Sequence, residues 1–506
     1  MTLLSRIFAH DPEGIAFSAG GDLEGVGGGS VTYRQFAEDV DVMAFWLHEQ
    51  GISTGTRLGI HLNDSSYWVW VAHLAAIRLG ACHMTGSPEM SRRKALGLEA
   101  FLIGRSEPSE VAEPVRLLVA ERFSLEPLAR QLGVEPRVWP DRSAELRASR
   151  LALTSGTTGM PRALLWDYDM ICARVAQAGD NAGPTQATRL YPALGVMTTA
   201  GFRYPLAVWQ AGGTVFRRGR HDEVAAPSWS PLERSNLLVT SPINLGNALG
   251  RVRGPWPGRD ERTIIVLGGR LPIAQRDKAL EDACVRLLIH YGSTETGNVA
   301  SGDAALLDRH PGAVGYARAD AEIEMVDDQD RPVGRGSTGI VRIRTAAMCA
   351  GYLADTGGGK ESSEFRDGWF YPGDRGILHD DGLIAIAGRS SDAVNLGGLK
   401  LSLADIEGKL RQIAAFTDLC VIPVSLAQGA LVAIVVTLAA DADRKSLPGK
   451  VKKTLPLGCP FRIVPVRRVP RNAMGKVPRG EIAKQLIPIL QAAAGEREKR
   501  VARRRQ

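Results

Sequence analysis

The chain has few cysteines, and none of them stands in a recognisable pair. Its 506 residues include six cysteines, and no two form a C-x-x-C motif or another spacing typical of metal ligands. This pattern argues against a disulfide-bonded scaffold and a structural zinc site, and it predicts a reducing, cytoplasmic compartment.

Long hydrophobic runs are also missing. No apolar run approaches the roughly 18 to 20 residues needed to span a bilayer. The N-terminal segment MTLLSRIFAHDPEG has neither the apolar length nor the cleavage pattern of a signal peptide. We therefore expect no membrane span and no secretory leader.

A basic surface for nucleic acid is not expected either, although the net charge is +7. Six Arg and Lys residues against two Glu give residues 496–506 a charge of +4, more than half of the excess. That tail is typical of a solvated, frayed helix end, and no aromatic residue lies among its charges to stack on bases. An anionic partner surface is the alternative for this tail.

What the chain does have is the composition of a globular protein, with 44% hydrophobic and 23% charged residues. Its length exceeds what one core usually supports, so we expect at least two domains. The N-terminal part alternates a helical pattern ending at Gly51, the strand TRLGIHL and the apolar helix YWVWVAHLAAIRLGA, which predicts a parallel α/β sheet flanked by helices. The apolar face of the first helix consists of Phe36, Val40, Met43, Ala44 and Leu47.

Three strand-like runs end in glycine and hydroxyl residues. They are RLALTSG, RTIIVLGG and RLLIHYGS. Ligands collect at the carboxyl ends of parallel strands, so these runs predict three loops around one crevice.

The pattern changes in the C-terminal part. TGIVRIRT alternates as a half-exposed strand does, whereas DGWFYPGDRG and HDDGLIAIAG are interpreted as turn-rich connectors. After Gly388, a helix with its N-cap at Ser402 and the buried strand LVAIVVTL predict a separate small α+β domain.

The stretch LTSGTTGMPRAL is the richest in potential ligand contacts. Backbone N–H groups in such a Ser/Thr/Gly turn can form a concave anion site, which the hydroxyls and Arg162 would complete. The stretch does not match G-x-x-x-x-G-K-[ST], which excludes a Walker A loop. On its own it predicts either a phosphate cradle or a flexible surface loop.

Six motifs in one order resemble those of the AMP-forming adenylating enzymes, the superfamily of acyl-CoA synthetases, nonribosomal peptide adenylation domains and firefly-type luciferases. The motifs are TSGTTGMPR, GGRLPIA, YGSTETG, FYPGDRG, GRSSDAVNLGGLKLSLADIE and PRNAMGKVPR. The resemblance implies a large N-terminal domain (residues 1–388) of parallel-rich sheets and a small mobile α+β domain (392–506), with a hinge near 389–392 and ATP between them.

The resemblance also implies the reaction: a carboxylate attacks the α-phosphorus of ATP, pyrophosphate leaves, and the acyl-AMP is transferred to a thiol. ATP, Mg²⁺, and coenzyme A or a phosphopantetheine carrier are the implied cofactors, and a small carboxylic acid is the implied substrate. Catalytic roles fall on Lys476, Thr294 and Glu295, with Glu295 also holding the metal. The residues implied to contact the cofactors are Thr154, Ser155, Gly156, Thr157, Thr158, Gly159, Arg162, Gly268, Gly269, Tyr291, Gly292, Asp374, Arg389 and Gly398.

Individual roles follow the same resemblance. Tyr291 would stack on adenine, Asp374 would accept hydrogen bonds from the ribose hydroxyls, and Thr294 would contact the α-phosphate. Lys476 would bridge the acyl carboxylate and the α-phosphate, and Gly398 would let a phosphopantetheine thiol pass. Taken singly, Tyr291 could instead be a core aromatic residue and Asp374 a turn residue.

Two residues depart from the family pattern. Arg162 stands where lysine is usual, so phosphate binding is expected with altered geometry. Ser391 stands at the hinge position usually held by Asp or Lys. These departures leave a second hypothesis open, that of a degenerate, non-catalytic member acting as a nucleotide-dependent binding partner.

The acyl pocket is expected in RLYPALGVMTTAGFRYPLAVWQAGG. The aspartate that holds the substrate ammonium in amino-acid-activating members has no counterpart, so an acid without an α-amino group is predicted. Met197, Gly201 and Phe202 indicate either an apolar slot for an aryl or aliphatic acid or ordinary packing. His290 has no identifiable partner and is interpreted as structural.

Overall fold

The computed structural model describes most of the chain, in segments separated by short gaps. The described ranges are 1–18, 29–62, 67–104, 114–120, 142–154, 162–216, 230–251, 254–353, 364–389, 393–396, 399–426, 429–455, 459–471 and 477–491.

The larger of two N-terminal sheets has fifteen strands within these ranges. They are β1 (Ile15–Ser18), β2 (Ser30–Thr32), β9 (Arg189–Pro192), β10 (Thr214–Phe216), β11 (Leu237–Thr240), β12 (Thr263–Leu267), β13 (Arg286–Ser293), β14 (Gly297–Asp303), β15 (Ala313–Ala317), β16 (Ala321–Val326), β17 (Thr338–Thr345), β18 (Phe365–Arg366), β19 (Trp369–Phe370), β20 (Asp374–Leu378) and β21 (Leu383–Arg389). Their order is β18-β19-β17-β20-β21-β15-β14-β13-β12-β11-β9-β10-β1-β2, with β16 paired to β17.

This sheet changes from parallel to antiparallel at β13. Strands β9, β11, β12 and β13 run parallel, whereas β13, β14, β15, β21 and β20 pair antiparallel in that order. The parallel strands are almost continuously apolar because both faces are covered, and β11 is buried along its whole length. β13 therefore has a parallel neighbour, β12, on one side and an antiparallel neighbour, β14, on the other.

The second sheet has six strands in the order β6-β5-β3-β4-β7-β8. They are β3 (Arg57–His61), β4 (Cys82–Thr85), β5 (Ala100–Gly104), β6 (Arg116–Ala120), β7 (Ser149–Thr154) and β8 (Arg162–Trp166). All neighbours pair in parallel except β7 and β8, which are antiparallel. The strand that leads into the phosphate-loop motif is thus β7, and the strand that leaves it is β8.

Helices cover both sheets. They are α1 (Leu3–Ile7), α2 (Tyr33–Glu49), α3 (Tyr67–Arg78), α4 (Tyr168–Ala182), α5 (Thr199–Gln210), α6 (Ser230–Arg234), α7 (Pro242–Arg251), α8 (Ile273–Asp282) and α9 (Leu306–Arg309). Helix α2 buries all five residues of its predicted apolar face, and the Thr32 side chain caps its N-terminus by accepting from the Gln35 N–H. Helix α3 is buried over nearly its whole length, as its continuous apolar pattern predicts.

The residues after Arg389 form their own sheets and cores. Here lie β22 (Ala393–Leu396), β23 (Leu399–Ser402), α10 (Leu403–Leu410), β24 (Phe416–Leu426), β25 (Gly429–Leu438), α11 (Leu447–Thr454), β26 (Phe461–Pro465) and a helix at 479–491. The two apolar clusters that flank β24–β26 draw all their members from residues 403–490. The mixed α/β fold is thereby confirmed, while the boundaries 1–388 and 392–506 stay predictions.

One sequence-based expectation is wrong. DGWFYPGDRG and HDDGLIAIAG are not mere connectors, because they supply β19, β20 and β21; their turn residues occupy short loops between paired strands, which hid the alternation. The three glycine-ended runs come from two sheets, since β7 belongs to the six-stranded sheet and β12 and β13 to the larger one.

All six cysteines are free thiols, five of them buried. Within the described segments, no helix combines the length and the apolarity that crossing a bilayer requires.

If the C-terminal region folds as its own domain, replacing Ile434 with alanine should destabilise that region alone. Ile434 is fully buried on β25, and such a truncation costs about 2–5 kcal/mol. Calorimetry should show one transition shifted, and Ile265→Ala, a fully buried match on β12, should shift another. A single transition lowered by both variants would contradict the domain division.

Candidate active site

The turn that joins β13 to β14 carries two of the predicted catalytic residues, Thr294 and Glu295. The Ser293 Oγ accepts from the backbone N–H of Glu295 (3.2 Å) and of Thr296 (3.3 Å), which closes the turn locally. Gly292 has to be glycine, because a Cβ there would lie 1.8 Å from the Gly297 carbonyl oxygen. Thr294 and Glu295 are therefore presented by a tight, rigid hairpin.

A buried carboxylate lies beside this hairpin. Asp374, 8% exposed, stands at the start of β20 opposite Arg389 on β21. Its Oδ2 accepts from the Tyr291 hydroxyl at 2.6 Å, and its Oδ1 lies 3.4 Å from the Arg389 Nε. Burial, and secondarily the charge of Asp374, raises the pKa of Tyr291 well above its usual value. The structure thus brings together the three residues predicted to contact the nucleoside.

A second buried carboxylate, Glu295, is held from the side of the phosphate loop. Its Oε1 accepts from the Tyr352 hydroxyl at 2.6 Å, and Glu295 is 6% exposed. The Arg162 guanidinium lies over the Tyr352 ring, 3.9 Å from its centroid, and Arg162 also forms an ion pair with Glu364. Burial, followed by the charge of Glu295, raises the pKa of Tyr352, so this phenol stays protonated and donates.

These contacts connect the two sheets. Arg162 is the first residue of β8 and pairs in register with Thr154, the last residue of β7. The Leu353 N–H donates to the Ala163 carbonyl at 2.9 Å, which fixes the segment carrying Tyr352 against β8. Thr154 is buried, and its Oγ1 has no hydrogen-bond partner within the described ranges. Arg162, at one end of the phosphate-loop motif, therefore lies against the tyrosine that donates to the Glu295 carboxylate.

The glycine pair after β12 lies beside the Tyr291 strand. β12 pairs with β13 so that Leu267 is opposite His290, and Gly268 and Gly269 follow directly. Gly268 adopts a φ of +83°, and no atom lies within 4 Å of where its Cβ would be. The backbone there is open to solvent, as the predicted approach of a base requires.

Several predicted residues lie outside the described ranges. They are Ser155, Gly156, Thr157, Thr158, Gly159, Ser391, Gly398 and Lys476. Their roles stay predictions from the resemblance.

Sequence reasoning missed Tyr352 and Glu364. Neither follows a strand that ends in glycine, and nothing in the local pattern indicates that the chain brings Tyr352 to a carboxylate 57 positions away. His290 is buried as predicted, but it has a partner: its Nδ1 lies 2.8 Å from the Tyr204 hydroxyl. Burial lowers the pKa of His290 to about 3, which fits a neutral structural histidine.

Of the two alternatives left open for Met197, Gly201 and Phe202, the structure supports packing for the last two. Phe202 is 1% exposed and contacts the Trp70 ring and the Arg150 guanidinium, which lies 3.9 Å from its centroid. Gly201 packs closely, since a Cβ there would lie 2.0 Å from the Gly195 carbonyl oxygen. Both are packing residues of α5, whereas Met197 is half-buried.

The donor set suits a hard divalent cation. Glu295 offers a carboxylate, whose hydrogen bond from Tyr352 occupies Oε1, and Thr294 adjoins it. Magnesium prefers oxygen ligands and is commonly held by one or two carboxylates together with substrate phosphates. The residues therefore fit Mg²⁺ bound mainly through a nucleotide.

Comparison with known proteins agrees with this geometry. A family model described as "AMP-binding enzyme" matches residues 6–353. The 3-hydroxybenzoate–CoA ligase of Aromatoleum sp. is 25% identical over 89% of this chain and 91% of its own length. The fatty acid–[acyl-carrier-protein] ligase MmaC of Mycobacterium marinum is 24% identical over 90% and 93%.

Among solved structures, o-succinylbenzoate coenzyme A synthetase of Bacillus subtilis, in complex with ATP and a magnesium ion, aligns with a TM-score of 0.78. The two chains are 20% identical, and the alignment covers 95% of this chain and 98% of that one. The protein belongs to the AMP-binding enzyme family. The sequence predicts ATP, Mg²⁺ and a thiol acceptor as cofactors. ATP and a magnesium ion are bound in that solved structure, and the two ligases are named for coenzyme A and for an acyl carrier protein.

Removing the Tyr291 hydroxyl should show how much the buried charge of Asp374 destabilises the fold when it lacks this donor. We expect Tyr291→Phe to lower the free energy of unfolding by about 1.5–3 kcal/mol, because a buried carboxylate loses a charge-assisted hydrogen bond. The measurement is urea denaturation at neutral pH.

Tyr33→Phe is the control, since the buried Tyr33 hydroxyl donates to the neutral backbone carbonyls of Trp209 at 3.3 Å and Gly213 at 2.7 Å. Its loss should cost only about 0.5–1.5 kcal/mol. Equal losses for the two variants would show that the charge of Asp374 contributes nothing to this contact.

Proposed function

We propose that this enzyme adenylates a carboxylic acid without an α-amino group at the expense of ATP and transfers the acyl group to the thiol of coenzyme A or of a carrier protein. The observation that carries the proposal is a pair of contacts four residues apart on the chain. Tyr291 donates to Asp374, and Glu295 accepts from Tyr352, whose ring lies under the Arg162 guanidinium of the phosphate-loop motif. We also propose that the acid is an aryl or aliphatic one and that the enzyme acts in the cytoplasm.

The nucleoside half of ATP matches the Tyr291 and Asp374 side. The Tyr291 ring would stack on adenine next to the open backbone of Gly268 and Gly269. Asp374 would accept hydrogen bonds from the ribose hydroxyls, a role suited to a carboxylate with several lone pairs. Arg389, already 3.4 Å from Asp374, would orient that carboxylate.

The triphosphate matches the opposite side. The β- and γ-phosphates would lie at the Thr154–Arg162 motif, whose Arg162 supplies a cation and whose backbone N–H groups supply donors. Glu295 would hold Mg²⁺, which supplies neutralisation of phosphate charge. The Thr294 hydroxyl would contact the α-phosphate, where the acid attacks in line.

Arg162 has to exchange partners for this role. In the structure it is paired with Glu364 and stacked on Tyr352. A phosphate arriving at the loop would compete with the Glu364 carboxylate for the same guanidinium, while the stacking contact can persist. The arginine in place of the usual lysine is explained by this stacking, since a lysine ammonium lacks the planar face.

Negative charge develops between the acyl carboxylate and the α-phosphate, and Lys476 would bridge the two groups. Attack yields acyl-AMP and pyrophosphate. The thiol of coenzyme A or of a carrier then attacks the acyl carbon, a thioester forms, and AMP leaves with the electron pair of the broken anhydride bond.

The substrate assignment depends on charge. Residues 198–200, the region where amino-acid-activating relatives place an aspartate, contain no acid. Thr198 caps α5 by accepting from the Gly201 N–H at 2.9 Å, so it is committed to structure. Arg150 is buried beneath this segment and donates to the Val196 carbonyl at 2.7 Å. A substrate ammonium would meet a cation here and no anion.

Carboxylate-dependent ATP–pyrophosphate exchange over a panel of aryl, medium-chain and long-chain acids tests the first half-reaction. We expect one class of acid to support exchange and Lys476→Ala to reduce it roughly 10²–10³-fold, as removal of a transition-state charge contact does. Lys484→Ala is the control, because Lys484 is an exposed lysine in the same region. ATP binding without exchange by any acid would favour the non-catalytic binding protein.

The acceptor is tested separately, with the acid that supports exchange. Coenzyme A or a phosphopantetheinylated carrier protein should convert the exchange into stoichiometric AMP release. We expect one of the two thiols to accelerate AMP release at least tenfold over water. Equal AMP release with and without either thiol would contradict the thioester step while leaving adenylation intact.

A further inference from the structure

A buried arginine lies directly beneath the turn that carries Thr294 and Glu295. Arg174, on α4, is 1% exposed. Its Nη2 donates to the backbone carbonyl of Glu295 at 2.9 Å and to that of Ala347 at 2.7 Å. One nitrogen therefore joins the β13–β14 turn to the segment that follows β17.

The same carbonyl is held from a second direction. The Cys349 N–H donates to the Glu295 carbonyl at 2.9 Å, and the Cys349 Sγ lies 3.8 Å from the Arg174 Nη2. A Cβ at Gly297 would lie 2.8 Å from the Arg174 Nη1, and Gly297 has a φ of +77°. A side chain at position 297 would therefore collide with both Gln177, at 2.5 Å, and the Arg174 guanidinium.

Packing alone does not explain an arginine at position 174. No carboxylate pairs with it in the part of the chain that the structure describes, and its Nε and Nη1 have no hydrogen-bond acceptor there. The guanidinium of an arginine stays protonated in proteins. A buried cation without an ion-pair partner costs several kcal/mol, and an apolar side chain of similar length would avoid that cost.

The position of Arg174 along the chain connects it to the phosphate loop. Helix α4 begins at Tyr168, two residues after β8 ends at Trp166. The Asp167 side chain caps the helix by accepting from the Met170 N–H at 2.8 Å, which fixes where the helix starts. Arg174 lies two turns further on, over the Trp166 ring at 5.0 Å. The strand that leaves the phosphate-loop motif is therefore joined to the turn at residues 293–297 through the first two turns of α4.

We propose that Arg174 is a positioning residue. It holds the backbone of the turn at residues 293–297 in place, so that the Glu295 carboxylate meets the nucleotide-bound Mg²⁺. The inference rests on the proposed function, because it takes Glu295 as the metal ligand. Arg174 acts through the Glu295 backbone and touches neither substrate nor metal.

Calorimetric titration of ATP, with Mg²⁺ and with EDTA, measures this role without relying on turnover. In the parent protein, Mg²⁺ should tighten ATP binding. In Arg174→Met the enhancement by Mg²⁺ should fall about tenfold, the lower range for loss of a contact that orients a metal ligand. Arg174→Lys should recover part of the enhancement, since one ammonium keeps a donor for the Glu295 carbonyl. Binding in EDTA should change less than threefold.

Arg262→Met is the matched control. Arg262 is also fully buried, and it donates to four backbone carbonyls, those of Leu232, Ser235, Pro257 and Ala283. It makes none of its hydrogen bonds to the 293–297 turn. Its replacement should destabilise the fold while leaving the Mg²⁺ enhancement at the parent value.

The outcomes separate the inference from the function on which it rests. A parent protein that binds no ATP would overturn both. A parent that shows the enhancement, with Arg174→Met and Arg174→Lys showing it undiminished, would overturn the positioning role alone. If Arg174→Met does not fold, Arg174→Lys decides by itself. An enhancement equal to the parent's would then overturn the positioning role, because an ammonium does not reproduce the planar contacts of the guanidinium with the Glu295 and Ala347 carbonyls and the Trp166 ring.

Discussion

Two buried carboxylates, Glu295 and Asp374, set the constraint on which the rest of the site depends. A buried carboxylate needs hydrogen-bond donors, because the loss of hydration costs several kcal/mol per charge. Each has a tyrosine hydroxyl at 2.6 Å and an arginine close by. The register of β20 with β21 supplies Arg389 to Asp374, and the bond between Leu353 and Ala163 holds the segment that supplies Tyr352 to Glu295.

The same arrangement explains why the chain keeps buried charges that destabilise the protein in the absence of ligand. A carboxylate with one side held by a phenol keeps the rest of its lone pairs for ribose hydroxyls or for a metal ion. The donors are fixed before ligand arrives, so less ordering is required on binding. At the phosphate-loop motif, Arg162 is held by stacking on Tyr352 and by an ion pair with Glu364. Its positive charge is therefore in place beside the loop that is predicted to bind phosphate.

Much of the architecture could be predicted from local patterns. Three elements were predicted correctly because hydrophobic periodicity directly reflects burial: the apolar face of α2, the buried helix α3 and the alternation in β17. In β17, Val341 and Ile343 are buried while Arg342 and Arg344 pair with Glu324 and Glu322 across the strand pair. Short strands between glycine-rich turns, such as β20 and β21, were missed because five to seven residues show too little alternation to outweigh the turn residues that flank them.

The site divides in a similar way. Residues within a motif, such as Tyr291 and Glu295, were found because their neighbours in the chain belong to the same signature. Tyr352, Glu364 and Arg174 were not found, because their contacts join segments 57 to 202 positions apart. Only tertiary packing creates those contacts, and no local composition announces them. Lys476, which the motif alone assigns, lies outside the described residues.

The most direct test of the account is whether Asp374 recognises the ribose. Titration calorimetry should compare the affinities of the parent and of Asp374→Asn for ATP and for 2′,3′-dideoxy-ATP, which lacks both hydroxyls. We predict that the parent prefers ATP by about tenfold or more, which is the value of one to two charge-assisted hydrogen bonds, and that the variant binds the two nucleotides nearly equally. The same preference in both proteins would contradict the assignment of Asp374 and of the nucleotide site built around it.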